Sequence, residues 1–457
     1  MTSHLLALLA LLVSGAQNDA RLVHASRADK AGWIYLHLQG APRDIGYQYG
    51  VLASAEIDDA HRALALNFKT TPYNWSWARK TAKDLFWTKL DQEYKDEIEG
   101  QAEGLKSKGY AYDAWDILAY NAYIELKDYY IPYLQSKTTG LRLGSTRDSC
   151  SAFIATGSTT KDGKIVMGQN LWWDYVMGQR CNVLLDITPD KGNRLVMDAF
   201  CGFIHSGSDF AINSAGLVLC ETTISGFFGF DPKGTPEFMR MRKAIQYANN
   251  LDDAVKIFKD GNNGGYANTW LIADATHNEI ARLELGLKNV TLERSTDGVF
   301  VGANYPINPK LIKEETNYDV NDMSQSSAAR RVRWGQLISE NKGKIDTAAA
   351  ERFLGDHYDT YEKKEEPSER TLDGHVELSA RGYPGWVEPY GTAGAVQNKV
   401  ADAAMIKEMS FYGAAGHACG LNFKPALHLT AHPEFAWQKD LQRDLDAHPW
   451  TKFSAAK

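Results

Sequence analysis

The hydrophobic pattern divides the chain into a helical first third and a longer part built from short runs. From about Asp44 to Leu134, apolar residues recur three or four positions apart, which is the spacing of one buried helix face. Pro132 is predicted to end this stretch, because proline interrupts helical hydrogen bonding. The apolar positions are Ile45, Tyr49, Leu52, Ile57, Leu85, Leu90, Tyr94, Ile98, Trp115, Ile117, Leu118, Tyr123 and Ile124.

Short strands are predicted after a polar loop at Lys137–Asp148. Ser151–Thr156 and Lys164–Gln169 flank a Lys-Asp-Gly turn, a pattern typical of a β-hairpin. Strands that follow one another with short turns predict an antiparallel meander. These further strands are Val183–Ile187, Arg194–Phe200, Asp209–Ile212 and Leu217–Thr223.

The alternation of strands and helices then repeats. Helices are predicted at Pro236–Ala248, Leu251–Phe258, Ala328–Ile338 and Ala348–Leu354, and strands at Trp270–Asp274, Ile280–Leu285 and Val299–Gly302. Residues 360–400 are predicted to be mostly loop, and the C-terminal part a helix with a wrapping segment. Strands and then helices, twice over, predict an α+β fold in which one sheet stacks on another.

Composition narrows the class of protein. The chain has 457 residues, 44% of them hydrophobic, which is enough for a packed core and excludes disorder of the whole chain. Lys and Arg number 50 against 57 Asp and Glu, a net charge of −7, and no long basic run occurs. Nucleic acid is therefore not an expected partner, because binding it requires clustered cations.

The N-terminus carries the longest apolar run, Leu5–Val13, which is too short to span a bilayer. Small residues at Ser14 and Ala16 follow it in the pattern of a signal-peptidase site. Residues 1–16 are predicted to be a signal peptide, with a buried N-terminal helix as the alternative. The expected compartment is secreted, periplasmic or a lysosome-like lumen, without stable membrane insertion. Asn74 and Asn289 lie in sequons and are candidate glycosylation sites.

Cysteine and histidine spacings predict neither zinc nor another cofactor. The five cysteines include no CxxC pair, and their odd number leaves at least one outside any intramolecular disulfide. His428 and His432 are spaced like metal ligands on a helix, but no third ligand is near them in the sequence. We therefore expect no metal site and no cofactor.

Cys150 is the candidate nucleophile, because it opens a predicted strand directly after a polar loop. A nucleophilic thiol needs a neighbouring base. Removal of everything upstream would let the liberated α-amine of Cys150, with a reference pKa of about 8, serve as that base. The alternatives are a buried small apolar residue or a disulfide partner.

The run that begins at Cys150, CSAFIATGSTTKDGKIVMGQNLWWD, resembles the N-terminal-nucleophile (Ntn) hydrolases related to acyl-CoA:penicillin acyltransferase. GAPRDIGYQYGVLASAEI is similar to the N-terminal helix entry of the same relatives. FCGFIHSGSDFAINSAGLVLCETTISG and GGYANTWLIAD resemble the phospholipase-B-like branch of the superfamily. The resemblance implies a four-layer αββα sandwich and cleavage between Ser149 and Cys150. Residues 17–149 would then form a small helical chain that stays bound to a catalytic chain, 150–457.

The resemblance also implies roles for individual residues. Cys150 corresponds to the nucleophile, and Asn170 and Asp174 to polar residues at the hairpin end. Asn268, in the YANTW motif, corresponds to the asparagine that stabilises the oxyanion. Arg330 matches an arginine that braces the site. Arg331 and Arg333 are adjacent alternatives to it, and ordinary surface or turn positions are the alternative for each of these residues.

The substrate pocket is predicted from the same motifs. Glu221 and Thr222 resemble pocket residues of the phospholipase-B-like branch, with an ordinary strand end as the alternative. Aromatic residues could form an apolar wall for an acyl chain or could belong to the core; they are Trp172, Trp173, Phe227, Phe228 and Phe230. The resemblance implies a hydrolase of small-molecule or lipid acyl esters. Alternatives are an amidase or N-acyltransferase acting on peptides or N-acyl amines, and a secreted protein that only binds ligands.

Overall fold

In the computed structural model, residues 19–69, 71–144 and 150–456 are described. The predicted signal peptide and Ser149 lie outside these residues. Within them the strands are, in chain order, β1 (Ser26–Lys30), β2 (Trp33–Gly40), β3 (Ser151–Thr156), β4 (Val166–Asp174), β5 (Val183–Pro189), β6 (Leu195–Ala199), β7 (Ala211–Asn213), β8 (Leu217–Thr223), β9 (Asn268–Asp274), β10 (Glu279–Leu285), β11 (Val290–Ser295), β12 (Gly298–Gly302), β13 (Tyr358–Asp359), β14 (Lys364–Glu365), β15 (Ala393–Asp402), β16 (Ser410–Ala415) and β17 (Thr451–Ser454).

The α-helices of the same residues are α1 (Pro42–Leu52), α2 (Ser54–Phe68), α3 (Trp75–Phe86), α4 (Gln92–Ser107), α5 (Ala114–Asn121), α6 (Ile131–Thr139), α7 (Tyr175–Gly178), α8 (Glu237–Tyr247), α9 (Leu251–Lys259), α10 (Pro309–Glu315), α11 (Ser326–Glu340), α12 (Thr347–Leu354), α13 (Ala403–Lys407) and α14 (Pro425–Ala431). A π-helical segment, Glu125–Tyr130, joins α5 to α6. Short 3₁₀ turns occur at Ala20–Leu22, Trp87–Lys89, Gly157–Thr159, Val376–Leu378 and Pro433–Gln438.

Two large sheets carry the fold. Sheet A has the strand order β1-β2-β5-β6-β7-β8-β9-β10-β11, and sheet B the order β12-β3-β4-β15-β16-β17. The predicted hairpin is β3 and β4, which pair antiparallel, and the predicted meander is the run from β5 to β8. Both predictions are confirmed. In sheet A, β2 and β5 pair in parallel, and the other neighbours are antiparallel.

The side chains of β3 show how the layers stack. Ala152 and Ile154 point into an apolar core between the two sheets, whereas Phe153 and Ala155 pack against α11 and α12. This alternation follows from the two-residue period of a strand. On its other face, sheet A packs against the N-terminal helices and against α8 and α9. The α+β sandwich of two sheets between helical layers is therefore confirmed.

The segment that precedes residue 150 contains more than helices. Besides α1–α6 it supplies β1 and β2, and β2 lies inside sheet A between β1 and β5. Helices α1 and α4 pack with their backbones in close approach: a Cβ on Gly46 would lie 1.9 Å from the Glu97 carbonyl oxygen. Glycine is needed there because any side chain would collide with the facing helix.

One element prediction was wrong and two were incomplete. Pro132 does not end a helix but lies in the first turn of α6, where its missing N–H costs no hydrogen bond. Residues 360–400 are mostly loop, as predicted, but they also contain most of β15, a central strand of sheet B. The C-terminal part adds β16 and β17 to the same sheet. Long-range pairing, not local pattern, makes strands of these segments.

The two sequon asparagines have different surroundings. Asn74 is exposed, and its side chain caps α3 by accepting from the Trp77 N–H. Asn289 is half-buried, and its Nδ2 donates to Glu314 Oε2 at 3.0 Å. Glycosylation at either position stays a prediction.

Candidate active site

Cys150 lies directly before β3, with its side chain buried and its backbone at φ +116°. This conformation is strained for any residue other than glycine, at a cost on the order of 1–3 kcal/mol, and persists only where neighbouring contacts enforce it. Two contacts enforce it here. The Cys150 carbonyl oxygen accepts from Arg330 Nη1 at 2.6 Å, and the following Ser151 N–H donates to Asn170 Oδ1 at 3.0 Å.

Arg330 reaches this position from α11, and its guanidinium is fully buried. Besides the Cys150 carbonyl, it donates to Ser151 Oγ at 2.9 Å and to Asn304 Oδ1 at 3.0 Å. Its guanidinium carbon also lies 4.4 Å from the ring centre of Trp172. A buried guanidinium is stable only when its N–H groups find such acceptors.

The two alternative arginines of α11 point elsewhere. Arg331 lies over the Tyr305 ring at 5.2 Å, and Arg333 forms an ion pair with Asp356 at 2.6 Å. Of these three arginines, Arg330 is therefore the one that the structure brings to Cys150.

Asn170 and Asp174 are separated by the geometry of β4. Asn170 lies opposite Ser151 in the hairpin, and its Nδ2 donates to the Leu372 carbonyl oxygen at 2.6 Å. Asp174 is four residues further along the strand, about 13 Å at the usual rise per residue. There its carboxylate caps α7 by accepting from Met177 and also accepts from Asn67 Nδ2 at 3.0 Å. The structure thus brings Asn170, and not Asp174, to the start of β3.

Asn304 belongs to the same group of contacts and was missed by sequence reasoning. It accepts from Arg330 and donates from Nδ2 to the Thr223 carbonyl oxygen at 2.9 Å. Its backbone has φ +66°, and its carbonyl oxygen accepts from the Ser225 N–H at 3.0 Å. The available signal was an asparagine between a strand end and an X-Pro pair, because asparagine tolerates this conformation best after glycine.

Asn268 lies at the start of β9, opposite Thr223 of β8, and is fully buried. Its side-chain amide is 3.3 Å from Asp209 Oδ2. With the amide turned over, Nδ2 donates to Glu221 Oε2 at 2.8 Å and to the Ala267 carbonyl oxygen at 3.0 Å. Asn268 thus lies between the buried carboxyl groups of Asp209 and Glu221, beside the last residue of β8.

Asp209 is a second residue that sequence reasoning missed. Burial raises its pKa well above the usual range, and the nearby Glu237 and Glu221 carboxyl groups raise it further. A protonated Asp209 can donate to the Asn268 amide oxygen, which leaves the Asn268 nitrogen directed at Glu221. Glu221 in turn accepts from the Tyr266 hydroxyl at 2.9 Å.

The remaining predicted pocket residues divide between core and cavity. Trp172 and Trp173 are fully buried, and Trp173 packs edge-to-face on Phe200 at 4.4 Å. Thr222 is buried against Gly302, where a Cβ would lie 2.4 Å from its hydroxyl. In contrast, the three phenylalanines line a cavity of about 370 Å³ together with Tyr129 and Leu141; they are Phe227, Phe228 and Phe230.

A series of hydrogen bonds links the cavity wall to Cys150. Ser225, two residues before Phe227, is hydrogen-bonded to Asn304, and Asn304 is bonded to the Arg330 that holds Cys150. Hydrogen bonds through Ser225, Asn304 and Arg330 therefore connect the segment that lines the aromatic cavity with Cys150.

A comparison with protein families fits this arrangement. The family model described as Phospholipase B matches residues 51–291, more than half of the chain. The chain belongs to the phospholipase B family. The matched segment includes Cys150, Asn170 and Asn268, whereas Asn304 and Arg330 lie beyond it.

Individual relatives of this phospholipase B family member are distant. An uncharacterized protein of Archaeoglobus fulgidus is 26% identical over 57% of this chain and 46% of its own length. Human phospholipase B-like 1 is 30% identical over 32% of this chain and 26% of its own length. Phospholipase B-like protein F of Dictyostelium discoideum is 26% identical over 36% and 31%, respectively. The matches span less than half of these relatives.

Neither a membrane-spanning helix nor a disulfide is present in the described residues. Among the described residues, no helix combines the length and apolar character needed to cross a bilayer. In the same residues no disulfide joins any of the five cysteines.

Proposed function

We propose that the protein is a phospholipase-B-like acyl hydrolase whose nucleophile is Cys150, exposed as a new N-terminus by cleavage of the Ser149–Cys150 bond. The observation that carries the proposal is the clamp on Cys150. Arg330 and Asn170 hold the carbonyl and the N–H of the one peptide group that joins Cys150 to Ser151, and the Cys150 backbone is strained at φ +116°. Strain of this kind is concentrated at functional sites.

The cleavage step balances as an acyl shift followed by hydrolysis. The Cys150 sulfur attacks the Ser149 carbonyl carbon, and the Ser149–Cys150 C–N bond breaks to give a thioester and a free amine. Water then hydrolyses the thioester, which leaves a carboxylate on Ser149 and an N-terminal Cys150. No other residue has to supply the base in the mature site, because the new α-amine has a pKa near that of the thiol.

The catalytic cycle uses the same sulfur. The α-amine takes the thiol proton, the thiolate attacks the acyl carbonyl, and the alcohol leaves with that proton as a thioester forms. Water completes the cycle by releasing the carboxylic acid. Asn268 is the proposed donor to the oxyanion, as a neutral amide that does not titrate. To do so, one of its N–H groups exchanges its present acceptor, Glu221 or the Ala267 carbonyl oxygen, for the oxyanion. Arg330 keeps the carbonyl of the nucleophilic residue in place.

A fatty-acyl ester of a phospholipid is the proposed substrate. The names of the relatives support an ester of this kind, and the aromatic cavity, whose wall is linked to the site through Ser225 and Asn304, supports an apolar acyl chain. Localisation in a secretory, periplasmic or lysosome-like compartment is part of the same proposal and rests on the N-terminal sequence.

The test combines intact mass spectrometry, N-terminal sequencing and a substrate panel. The parent should yield a fragment that begins at Cys150, and Cys150→Ala should stay uncut and inactive. Cys150→Ser should be slow in both respects, whereas Cys220→Ala, at another buried cysteine, should be cut and active.

The panel contains phosphatidylcholine, lysophosphatidylcholine and N-acyl amines, with free fatty acid as the product measured. Release from the esters above the Cys150→Ala background supports the proposal. Release from the amines alone would replace it with an amidase. Binding without turnover, or full activity with an uncut Ser149–Cys150 bond, would overturn it.

A further inference from the structure

A group of potential metal ligands lies away from Cys150, on the far side of Leu372. Three separate segments supply it: His357 follows α12, Asp373 and His375 precede the 3₁₀ turn Val376–Leu378, and Cys419 follows β16. One side-chain donor atom of each of these residues lies within 4.8 Å of those of the other three. Such a set of nitrogen, oxygen and sulfur donors is typical of a zinc site.

Three of the six distances between the donor atoms are close to those of a tetrahedral zinc site. His357 Nε2 is 3.4 Å from Asp373 Oδ2, and His375 Nε2 is 3.6 Å from the same oxygen. Cys419 Sγ is 3.7 Å from His375 Nε2. Tetrahedral bonds of about 2.0–2.1 Å to nitrogen or oxygen and about 2.3 Å to sulfur place donors about 3.3–3.6 Å apart. These three distances lie within a few tenths of an ångström of that range, and the other pairs of donor atoms are no more than 4.8 Å apart.

Further contacts orient the four donors. His375 Nδ1 lies 2.9 Å from Glu377 Oε1, which directs the other ring nitrogen into the group. The Cys419 N–H donates to Asp373 Oδ2 at 3.0 Å, and the Leu421 N–H donates to Cys419 Sγ at 3.4 Å. Carboxylate–histidine pairs and hydrogen-bonded ligands of this kind accompany metal sites in proteins.

Burial supplies an independent argument. The side chains of Asp373 and His375 are 0% and 1% exposed, so these groups cannot be solvated by bulk water. His357 Nε2 is buried, is directed at Asp373 and has no hydrogen-bond partner of good geometry. A buried polar nitrogen without a good partner costs folding free energy, and coordination of a cation would remove that cost.

We propose that His357, Asp373, His375 and Cys419 bind one zinc ion as a structural site. Zinc follows from the mixture of imidazole, thiolate and carboxylate, and the structural role follows from four protein donors that leave no open position. The local sequence shows no sign of this group because its residues come from three distant segments, none of which shows ligand spacing by itself.

The zinc site would also support the start of β3. Leu372, next to Asp373, accepts from Asn170, and Asn170 accepts from Ser151. Gly374 packs on the Trp172 indole so closely that a Cβ would lie 2.2 Å from it. Fixing residues 373 and 375 therefore fixes the loop on which Asn170 rests.

The test measures metal content on the full chain. The purified parent is incubated with zinc chloride, desalted and analysed by inductively coupled plasma mass spectrometry. One zinc per chain is expected, and Cys419→Ser and His357→Gln should each lower this at least tenfold. The matched control is His428→Gln, because His428 lies close by on α14 but bonds the Tyr390 carbonyl oxygen, so it should retain the parent's zinc.

Two further readouts keep the proposal falsifiable if the ligand variants fold poorly. Parent protein loaded with Co²⁺ should show the intense visible absorption of a tetrahedral site with a thiolate ligand. Iodoacetamide should alkylate Cys419 much faster after chelation than in the zinc-loaded protein. Cys150→Ala should bind zinc like the parent, which separates this proposal from the proposed activity.

Three results would overturn the zinc site. They are less than a tenth of an equivalent of zinc in the folded parent, equal zinc in the parent and in both ligand variants, or alkylation of Cys419 that does not depend on chelation. The last result would instead favour Cys419, His375 and Glu377 acting as a thiol, a base and its carboxylate partner.

Discussion

At the scale of single residues, the Arg330 guanidinium connects the candidate nucleophile to its surroundings. It donates to the Cys150 carbonyl oxygen, to Ser151 Oγ and to Asn304 Oδ1, which needs a planar group with several N–H donors. Lysine has the charge but not this geometry. The Arg330 contacts therefore predict a loss of positioning on substitution, not only a loss of charge.

We expect Arg330→Lys to lower kcat by roughly 100-fold, because a small misplacement of a nucleophile costs about that much. Arg331→Lys is the matched control, since Arg331 lies one residue away over the Tyr305 ring. Kinetics on the best ester substrate and melting temperature check the pair. Equal kcat values for the two variants would show that Arg330 does not position the nucleophile.

Asn268 gives the second prediction at this scale. Asn268→Ala should slow the chemical step by roughly 100-fold or more, as expected for the loss of one oxyanion donor. Asn268→Asp should be at least as damaging, because a third carboxyl group would join Asp209 and Glu221. Single-turnover rates and melting temperatures separate chemistry from folding. Wild-type turnover in Asn268→Ala would make Asn170 or Asn304 the next candidate.

At the scale of elements, the segment after β8 forms part of the aromatic cavity. Phe228 is half-buried in its wall, with the Arg142 guanidinium 5.1 Å from its ring. Phe228→Ala should lower hydrolysis of long-chain esters several-fold and leave short-chain esters nearly unchanged, because only a long chain reaches the removed ring.

The chain offers a matched control for this variant. Phe300 in β12 is also half-buried and has the Arg282 guanidinium 5.0 Å from its ring. It belongs to sheet B, however, and does not line the cavity. Phe300→Ala should leave the chain-length profile as it is in the parent. A profile that changes equally in both variants would mean that this cavity does not hold the acyl chain.

The π-helical segment contains a buried acid that makes stability depend on pH. Burial raises the pKa of Glu125 to about 7, from an ordinary value near 4.5. Between these two values the folded protein holds a proton that the unfolded chain releases. The contribution of Glu125 to the free energy of unfolding therefore falls as pH rises, by roughly 3 kcal/mol between the two pKa values.

Glu125→Gln should remove this slope, because glutamine does not titrate. Urea unfolding at several pH values between about 4.5 and 7.5 measures it, and the slope, not the absolute stability, is the readout. Exposed Glu408→Gln is the control and should follow the parent. Parallel curves for the parent and Glu125→Gln would contradict the raised pKa.

At the scale of the whole molecule, residues before and after position 150 pack into the same hydrophobic core and share sheet A. Strand β2 pairs with β5, and its Leu36 and Leu38 are fully buried. Cutting one bond before Cys150 breaks none of these contacts. The two chains of the cleaved precursor should therefore stay together.

Size-exclusion chromatography of cleaved protein should give one peak that contains both fragments, at the elution volume of uncut Cys150→Ala. The fragments should separate only in denaturant. Elution of the small chain by itself under native conditions would show that β2 and the N-terminal helices contribute less to the core than their burial indicates.

Local pattern by itself determined the elements whose partners are neighbours in sequence. The hairpin β3–β4 and the meander from β5 to β8 were predictable because a short connection brings each strand against the preceding one. It also made Cys150 a candidate, as a thiol between a polar loop and a strand, but the resemblance to Ntn hydrolases was needed to predict it as the nucleophile and to imply roles for Arg330 and Asn170.

Only the tertiary structure decided which distant residues meet. It placed β15 inside sheet B and paired β2 with β5. It separated Asp174 from the start of β3 and brought Asn304 to Arg330. It also gathered His357, Asp373, His375 and Cys419 from three segments. The physical reason is common to all of these: hydrophobic burial is non-directional, so the register of long-range contacts depends on the packing of the whole core and leaves no periodic mark in the local sequence.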